Sequence, residues 1–139
     1  MPFRTQTKVR FADVDPAGIV FYPRYFEMLN AAVEDWFDQE LGLDFAAMHL
    51  DHQIGVPTVK LDVTFDAPSM LGEQLDVTIT PTSIGRTSCC FTAVFAGPSG
   101  DTRLTAQVVL VCMCLERKRP VEWPDKIRAA MASGMVPAA

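Results

Sequence analysis

The chain has 139 residues, a length that suits one domain and can bury a single core, so we treat residues 1–139 as one domain. Its composition, 49% hydrophobic and 21% charged, excludes disordered and collagen-like chains, and a net charge of −5 is opposite to the balance typical of nucleic-acid binders. The charge is uneven: residues 1–76 hold 13 acidic and 5 basic side chains, and residues 77–139 hold 4 acidic and 7 basic ones. We therefore expect an anionic ligand to bind the second half of the chain.

In the first third of the chain, the spacing of the apolar residues changes from a period of two, typical of a strand, to a period of 3.6, typical of a helix. Residues 3–11 alternate, with Phe3, Val9 and Phe11 on the apolar side, which predicts a half-buried strand. From Pro23 onward the apolar residues follow helical spacing: Phe26, Leu29, Val33, Trp36, Phe37 and Leu41. Pro23 suits a first helical position and Gly42 a C-terminal stop, so the pattern predicts a helix of about five turns.

The rest of the chain is predicted to be mostly strands. A short helix over Asp44–Leu50, capped by Asp44, precedes them, and a second amphipathic one is expected around Asp125–Met131. The predicted strands cover residues 59–66, 75–79 (ended by Pro81), 87–96 and 102–115. The last two are joined by a turn over 97–101 and are apolar on both sides, which is typical of strands covered on both faces.

The element order predicts an α+β fold, in which a five-stranded antiparallel sheet wraps around one long helix. Such a sheet leaves an edge strand and part of a face uncovered in a single copy. Pairing with a second copy would cover both, so we expect a homo-oligomer.

Several classes of site are not predicted. The four cysteines, Cys89, Cys90, Cys112 and Cys114, lie in apolar runs without zinc-site spacing, which indicates buried free thiols and no metal. His49 and His52 flank Asp51 near a loop and are interpreted as surface residues. The longest apolar run, eight residues ending at Leu115, is too short to span a bilayer, and the first ten residues do not resemble a signal peptide. We expect a cytoplasmic protein.

The segment between the first strand and the long helix has the features of a reactive site. Asp15 precedes Pro16, which favours an extended backbone, and Pro16 with Gly18 suits a tight turn. The helix that begins at Pro23 has unpaired N–H groups with partial positive charge in its first turn. This arrangement can hold an acyl carbonyl, because amides stabilise an oxyanion while a carboxylate attacks or takes a proton.

A simpler interpretation is that Asp13 and Asp15 are turn and capping residues without chemistry. The apolar stretch Ile19–Tyr22 favours the reactive interpretation, because a plain polar connector has no need of it. So does the position of the turn directly before the longest helix.

Residues 13–25 (DVDPAGIVFYPRY) closely resemble the signature of the 4-hydroxybenzoyl-CoA thioesterase family, of the hotdog fold. The resemblance continues through the helix, through Gly55–Thr58 and through Gly85–Ser88, and covers most of the chain. It implies a hotdog fold assembled as a dimer or tetramer, with active sites at the dimer interface. The implied activity is hydrolysis of an acyl-CoA thioester without metal or organic cofactor.

The resemblance also implies roles for single residues. Asp15 matches the catalytic carboxylate, and Tyr22 matches the position whose backbone N–H polarises the thioester carbonyl. The sequence leaves open whether Asp15 attacks the thioester as a nucleophile or activates water as a general base; the absence of a nearby histidine in the sequence favours the nucleophile weakly. A different hotdog branch places a catalytic Glu on the long helix, where Glu34 is available but fits a solvated residue better.

Substrate binding is implied at two further segments. Arg86, with Thr87 and Ser88, matches the turn that meets the CoA phosphates, in agreement with the basic second half. Thr58 belongs to the other matched segment and is placed in substrate binding. Arg117–Arg119 could add positive charge, although a solvated cluster at a strand end is the favoured interpretation.

The acyl group is the least determined part of the function. A related branch that acts on short-chain acyl-CoA has His after the Tyr, and Pro23 stands there in this chain, which favours an aromatic acyl group such as 4-hydroxybenzoyl or benzoyl. The alternatives are a short or branched aliphatic acyl-CoA thioesterase and a non-catalytic acyl-CoA-binding protein. The presence of Asp15 disfavours the latter, since a pure binder gains little from an ionised group beside an apolar pocket.

Overall fold

A computed structural model describes residues 2–135; Met1 and residues 136–139 of the predicted domain lie outside it. Its strands are β1 (Phe3–Lys8), β2 (Ile54–Gly55), β3 (Thr58–Phe65), β4 (Gln74–Ile84), β5 (Ser88–Ala96), β6 (Thr102–Val111), β7 (Met113–Cys114) and β8 (Arg119–Pro120). Five of them form a sheet in the order β1-β4-β5-β6-β3, in which all neighbours are antiparallel. The predicted α+β class and its five-stranded sheet are confirmed.

The long helix, α1 (Pro23–Trp36), continues as a π-helical turn over Phe37–Leu41. Gly42 ends it with a φ of 78°, a left-handed conformation that glycine adopts without strain. The helix buries one face against the sheet: Tyr25, Met28, Leu29, Ala32, Val33 and Trp36. Its predicted start and stop are both confirmed.

Two shorter helical elements were predicted and are present. The π-helical segment Ala47–Asp51 follows Asp44, whose Oδ1 accepts a hydrogen bond from the Ala47 amide at 2.7 Å, as a capping residue should. The second, α2 (Asp125–Ser133), buries Ile127 and Met131 and packs on β4 and on the end of the long helix.

The structure corrects the predicted ends of two strands. Phe11 is 83% exposed, because pairing of β1 ends at Lys8 and the chain turns through a 3-10 segment held by the Arg10 amide on Asp13. Pro81 does not end its strand: the register shifts between Pro81 and Ser83, and such an irregularity tolerates a residue without an N–H.

The predicted strand over 102–115 is divided in two. β6 ends at Val111, and after Cys112 the chain joins a small sheet of order β2-β7-β8 that the sequence patterns did not predict. The amide of Cys112 donates to the Thr87 carbonyl at 2.7 Å, which fixes the point where the chain leaves the main sheet.

One face of the main sheet is covered within the chain and the other is not. On β5 the inward residues Cys89, Phe91, Ala93 and Phe95 are buried, and the alternating outward residues are only half-buried, so the expected cover on both faces is wrong for a single copy. The edge strand β3 is more open still, with Val59, Leu61 and Phe65 exposed. An uncovered edge of this kind is what a second copy would pair with.

Candidate active site

Asp15 lies in a tight turn that fixes its carboxylate. The amide of Ala17 donates to Asp15 Oδ1 at 2.9 Å, and the amide of Gly18 donates to the Asp15 carbonyl at 2.9 Å. Gly18 has a φ of 80°, so this turn requires glycine or a strained residue. Asp15 is half-buried, and within residues 2–135 its Oδ2 has no hydrogen-bond partner. One oxygen anchors the side chain and the other is available to a substrate.

The turn is the tip of a small hairpin, residues 14–20, which we call the Asp15 hairpin. Val14 and Val20 bridge its two arms. The Val20 amide donates to the Ser69 carbonyl at 2.9 Å, and the Leu71 amide donates to the Gly18 carbonyl at 3.2 Å. The hairpin is therefore docked on the segment that leads from β3 into β4.

Tyr22 presents a free amide at the start of α1. Pro23 has no N–H, the Arg24 amide donates to the Phe21 carbonyl at 2.8 Å, and the Tyr25 amide donates to the Tyr22 carbonyl at 3.2 Å. Within residues 2–135 the Tyr22 amide itself donates to no backbone carbonyl. It lies at the positive end of the helix dipole, where an amide can donate to a developing oxyanion.

A shallow apolar depression of about 350 Å³ adjoins Tyr22. Its lining includes Ile19, Val20, Tyr22, Tyr25, Phe65 and Pro68. The ring of Phe65 lies 6.1 Å from the rings of both Tyr22 and Tyr25, in edge-on or tilted orientation. Aromatic side chains in such orientations favour contact with another flat ring.

A larger cavity of about 550 Å³ lies between α1 and the strands β3 and β6. Thr58 lines it together with two polar residues that no sequence pattern had indicated as site residues, Asn30 and His49. His49 was predicted at the surface, but it is half-buried, with Nδ1 2.7 Å from the Phe45 carbonyl oxygen; His52 is exposed as predicted. Phe45 and His49 are four residues apart, so on a helix they lie on the same face. This spacing is the sequence signal that indicates an inward-facing His49.

The turn Gly85–Ser88 lies between β4 and β5 and is built onto the C-terminal segment. Arg86 is exposed and its Nη1 lies 3.0 Å from Glu122 Oε1. The Trp123 amide donates to the Arg86 carbonyl at 3.1 Å, and its indole Nε1 donates to the Ser88 carbonyl at 2.9 Å. Arg128, which no sequence motif had indicated, donates to the Gly85 carbonyl and adds a second cation here.

The structure does not bring all the predicted residues together within one chain. Asp15 and Tyr22 share one end of the sheet, near the start of β4, whereas the Gly85–Ser88 turn follows the end of β4. Since β4 has eleven residues, and hence ten steps of about 3.3 Å, the two groups lie at opposite ends of a strand that is roughly 33 Å long. Thr58 lies at the Gly85–Ser88 end, because it pairs with Leu110, the partner of Cys89.

The remaining candidates are placed away from the Asp15 hairpin. Glu34 is exposed on α1, and Arg117–Arg119 are exposed around a turn in which Lys118 has a φ of 59°. Cys89 and Cys112 are buried, and burial raises the pKa of Cys89 to about 12 and of Cys112 to about 11. The expected burial is only partial for Cys90 and Cys114.

Residues 2–135 contain neither a metal-binding cluster nor a membrane-spanning helix. No group of three or more His, Cys, Asp or Glu residues is close enough to hold a metal ion. No helix combines the length and the apolar composition required to cross a bilayer.

Comparison with known proteins finds similar proteins that match most of the chain. The model of the thioesterase-like superfamily matches residues 9–131. A 1,4-dihydroxy-2-naphthoyl-CoA hydrolase of Thermosynechococcus vestitus is 30% identical over 128 residues, which are 92% of this chain and 87% of that protein. The acyl-CoA thioester hydrolase YbgC of Escherichia coli O157:H7 is 24% identical over 91% of this chain and 93% of its own length.

A solved structure shows the same architecture. The 1,4-dihydroxy-2-naphthoyl-CoA thioesterase Slr0204 from Synechocystis superposes with a TM-score of 0.86 at 25% identity, covering 95% of this chain and 96% of that one. The predicted hotdog fold is thereby confirmed. These comparisons establish the superfamily, and the narrower assignment to the 4-hydroxybenzoyl-CoA family remains a prediction.

Proposed function

Since the chain belongs to the thioesterase-like superfamily and is a thioester hydrolase, we propose that it hydrolyses an acyl-CoA whose acyl group is a hydroxylated aromatic ring system. The observation that carries the proposal is that an anchored carboxylate and a helix-start amide, which has no hydrogen-bond partner in residues 2–135, lie on one short segment of the chain. Asp15 lies at the tip of the Asp15 hairpin and Tyr22 lies two residues beyond its end, and the Phe21 amide donates to the Asp13 carbonyl at 2.9 Å, which holds the chain together at the base of the hairpin.

The two groups divide the reaction between them. The Tyr22 amide donates to the thioester carbonyl, whose oxygen becomes negative as the carbon is attacked. The Asp15 carboxylate, held by the Ala17 amide through one oxygen, uses the other either to attack the carbonyl carbon or to take a proton from the attacking water. In both routes the carbon–sulfur bond breaks and the CoA thiolate leaves.

Oxygen-18 distinguishes these two roles of Asp15. A single turnover in oxygen-18 water that yields an unlabelled acid shows attack by Asp15, followed by attack of water on the aspartyl carbon. A labelled acid is compatible with general-base catalysis and with attack of water on the acyl carbon of an anhydride. Trapping of an acyl-Asp15 peptide then separates those two.

The aromatic preference is supported by the depression beside Tyr22. Its rings belong to Tyr22, Tyr25 and Phe65, and they offer edges and faces to a flat acyl group held at the Tyr22 amide. Two of the similar proteins carry 1,4-dihydroxy-2-naphthoyl-CoA in their names, which extends the candidate acyl groups from 4-hydroxybenzoyl and benzoyl to a two-ring system.

We further propose that the active site is completed in a homodimer formed through β3. Two-fold antiparallel pairing of this edge strand with its copy sets the Phe65 end of one protomer opposite the partner's Thr58. Phe65 lies beside Tyr22, so the Asp15 hairpin then faces the end of the partner's sheet that carries the Gly85–Ser88 turn. This pairing brings the Asp15 hairpin of one protomer close to the Gly85–Ser88 turn of the other, which one chain alone keeps apart. The basic Gly85–Ser88 turn is then in position to bind the CoA phosphates.

The proposed function is tested with a panel of acyl-CoA thioesters, with thiol release as the readout. We expect kcat/KM for 1,4-dihydroxy-2-naphthoyl-CoA or 4-hydroxybenzoyl-CoA to exceed that for acetyl-CoA and isobutyryl-CoA. The reverse order would support the aliphatic alternative instead. Binding of acyl-CoA without thiol release from any member would support a non-catalytic binding protein.

A further inference from the structure

Two buried polar side chains, Arg103 and Ser69, are found among residues 2–135, and both lie behind the Asp15 hairpin. Arg103, on β6, is 8% exposed and makes a two-pronged ion pair with Glu73, with Nη1 to Oε1 at 2.8 Å and Nη2 to Oε2 at 3.0 Å. Its Nε donates to Asp101 Oδ2 at 2.6 Å. The proposed reaction gives none of these groups a role.

The guanidinium also binds the segment on which the Asp15 hairpin is docked. Arg103 Nη1 lies 3.0 Å from the Pro68 carbonyl oxygen and 3.3 Å from Ser69 Oγ. Glu73 Oε1 accepts the Met70 amide at 2.6 Å, so the ion pair closes the loop over residues 68–73 on itself. The hydrogen bonds from Arg103 and from the Met70 amide lower the pKa of Glu73 to about 2, so Glu73 keeps its charge even at acidic pH values where a free glutamate is protonated.

Ser69 connects this loop to both parts of the candidate active site. Its carbonyl accepts the Val20 amide, which ends the Asp15 hairpin, at 2.9 Å. Its Oγ accepts the hydroxyl of Tyr25, one helical turn beyond Tyr22, at 2.9 Å. A single buried residue thus binds the chain on either side of Tyr22.

We propose that Arg103 is a positioning residue, which sets the Asp15 carboxylate relative to the Tyr22 amide through Glu73 and Ser69. The inference rests on the proposed function, because it assigns Arg103 to the geometry of that reaction. Only a guanidinium meets all these partners at once: it has five N–H donors in a planar fork, whereas a lysine ammonium has three on a single nitrogen. A displacement of about 1 Å between two reacting groups is enough to slow a reaction about a hundredfold.

Gly97 supplies a second way to disturb this guanidinium without removing its charge. A Cβ placed on Gly97 would collide with the Arg103 side chain, so Gly97→Ala must move the guanidinium. The backbone at Gly97 is not left-handed, so alanine adds no backbone strain, and the three atoms nearest to its Cβ all belong to Arg103. Ile79→Val is a matched control, because it removes a methylene from the buried core of β4 at a position level with Ala93 and Ala106, further along the sheet than Arg103.

The experiment compares wild type with Arg103→Lys, Gly97→Ala and Ile79→Val in two measurements. The first is kcat and KM for the aromatic acyl-CoA that the wild type hydrolyses. The second is amide hydrogen exchange, read separately in the peptide that contains residues 14–22 and in peptides from β4 and β5. We expect kcat to fall about tenfold or more in Arg103→Lys and Gly97→Ala with KM within about threefold, because the lost interaction acts in the transition state.

In the same two variants, exchange should rise in residues 14–22 and remain unchanged in β4 and β5, while Ile79→Val keeps the wild-type kcat. A kcat within about twofold of wild type in the folded variants would overturn the proposal, as would a uniform rise of exchange over the sheet. If Arg103→Lys does not fold, Gly97→Ala decides alone. Failure of the proposed function is distinguishable, since it shows as an inactive wild type or an active Asp15→Asn, and the exchange of residues 14–22 is measured without turnover.

Discussion

Arg86 offers a prediction whose size can be worked out from its neighbour. Its ion pair with Glu122 joins two side chains that are 76% and 65% exposed, and such a pair is worth about 0–1 kcal/mol. A charged hydrogen bond to a CoA phosphate is worth about 2 kcal/mol. If substrate binding breaks the ion pair, the net contribution of Arg86 is about 1–2 kcal/mol, which is roughly a five- to thirtyfold rise in KM on its removal.

Arg86→Ala should therefore raise KM within that range and change kcat little, because the phosphate contact is the same in the ground state and the transition state. Glu122→Gln is the matched control: it releases Arg86 and removes an acidic group, so KM should stay the same or fall. The assay is steady-state thiol release on an acyl-CoA and on the corresponding acyl-pantetheine, which has no nucleotide. Equal losses of Arg86→Ala on both substrates would refute the reasoning and assign Arg86 to folding or to the interface.

Three further predictions concern assembly, acid stability and thiol reactivity. Sedimentation should show a dimer or a higher even oligomer. Val59→Lys, on the open edge of β3, should shift the protein to an inactive monomer. A fully active monomer at low micromolar concentration would contradict the shared site. Arg103 lowers the pKa of Glu73 from 4.5 to about 2, so the stability that this ion pair contributes is complete above pH 4.5 and is lost as the pH falls towards 2. The urea concentration at the unfolding midpoint should therefore drop over that pH interval, and it should drop less in Glu73→Gln. An aromatic disulfide reagent should modify Cys90 and Cys114 of the native protein and leave the buried Cys89 and Cys112 until denaturant is added; prompt reaction of all four would contradict their burial.

The parts of the fold that follow from local patterns were predictable from the sequence. The long helix has a regular apolar stripe, a proline at its start and a glycine at its end, and each of these signals acts within a few residues. The cap at Asp44 and the turn at Asp15 are local in the same sense. The sequence therefore predicts the Asp15 turn, the helix start and their proximity.

Other features depend on contacts between distant residues, and periodicity cannot reveal them. The exposure of Phe11 follows from where β1 stops pairing with β4, some 65 residues later in the chain. Pro81 stays within its strand because β4 has an extra residue, Thr82, at the register shift between Pro81 and Ser83. In the sequence, Arg103 is a single polar residue within an apolar strand. Its proposed role depends on contacts with Glu73 and Ser69, which only the fold brings close to it.

The catalytic role of Asp15 is tested most directly by the Asp15→Asn variant, assayed on the aromatic acyl-CoA that the wild type hydrolyses. The asparagine oxygen can still accept the Ala17 amide, so the turn and the melting temperature should be preserved. We predict a loss of kcat of about a hundredfold or more, about 2.7 kcal/mol of barrier, because an amide neither attacks a thioester nor takes a proton from water. A loss below about tenfold, 1.4 kcal/mol, would remove Asp15 from the mechanism and make Glu34 the next residue to substitute.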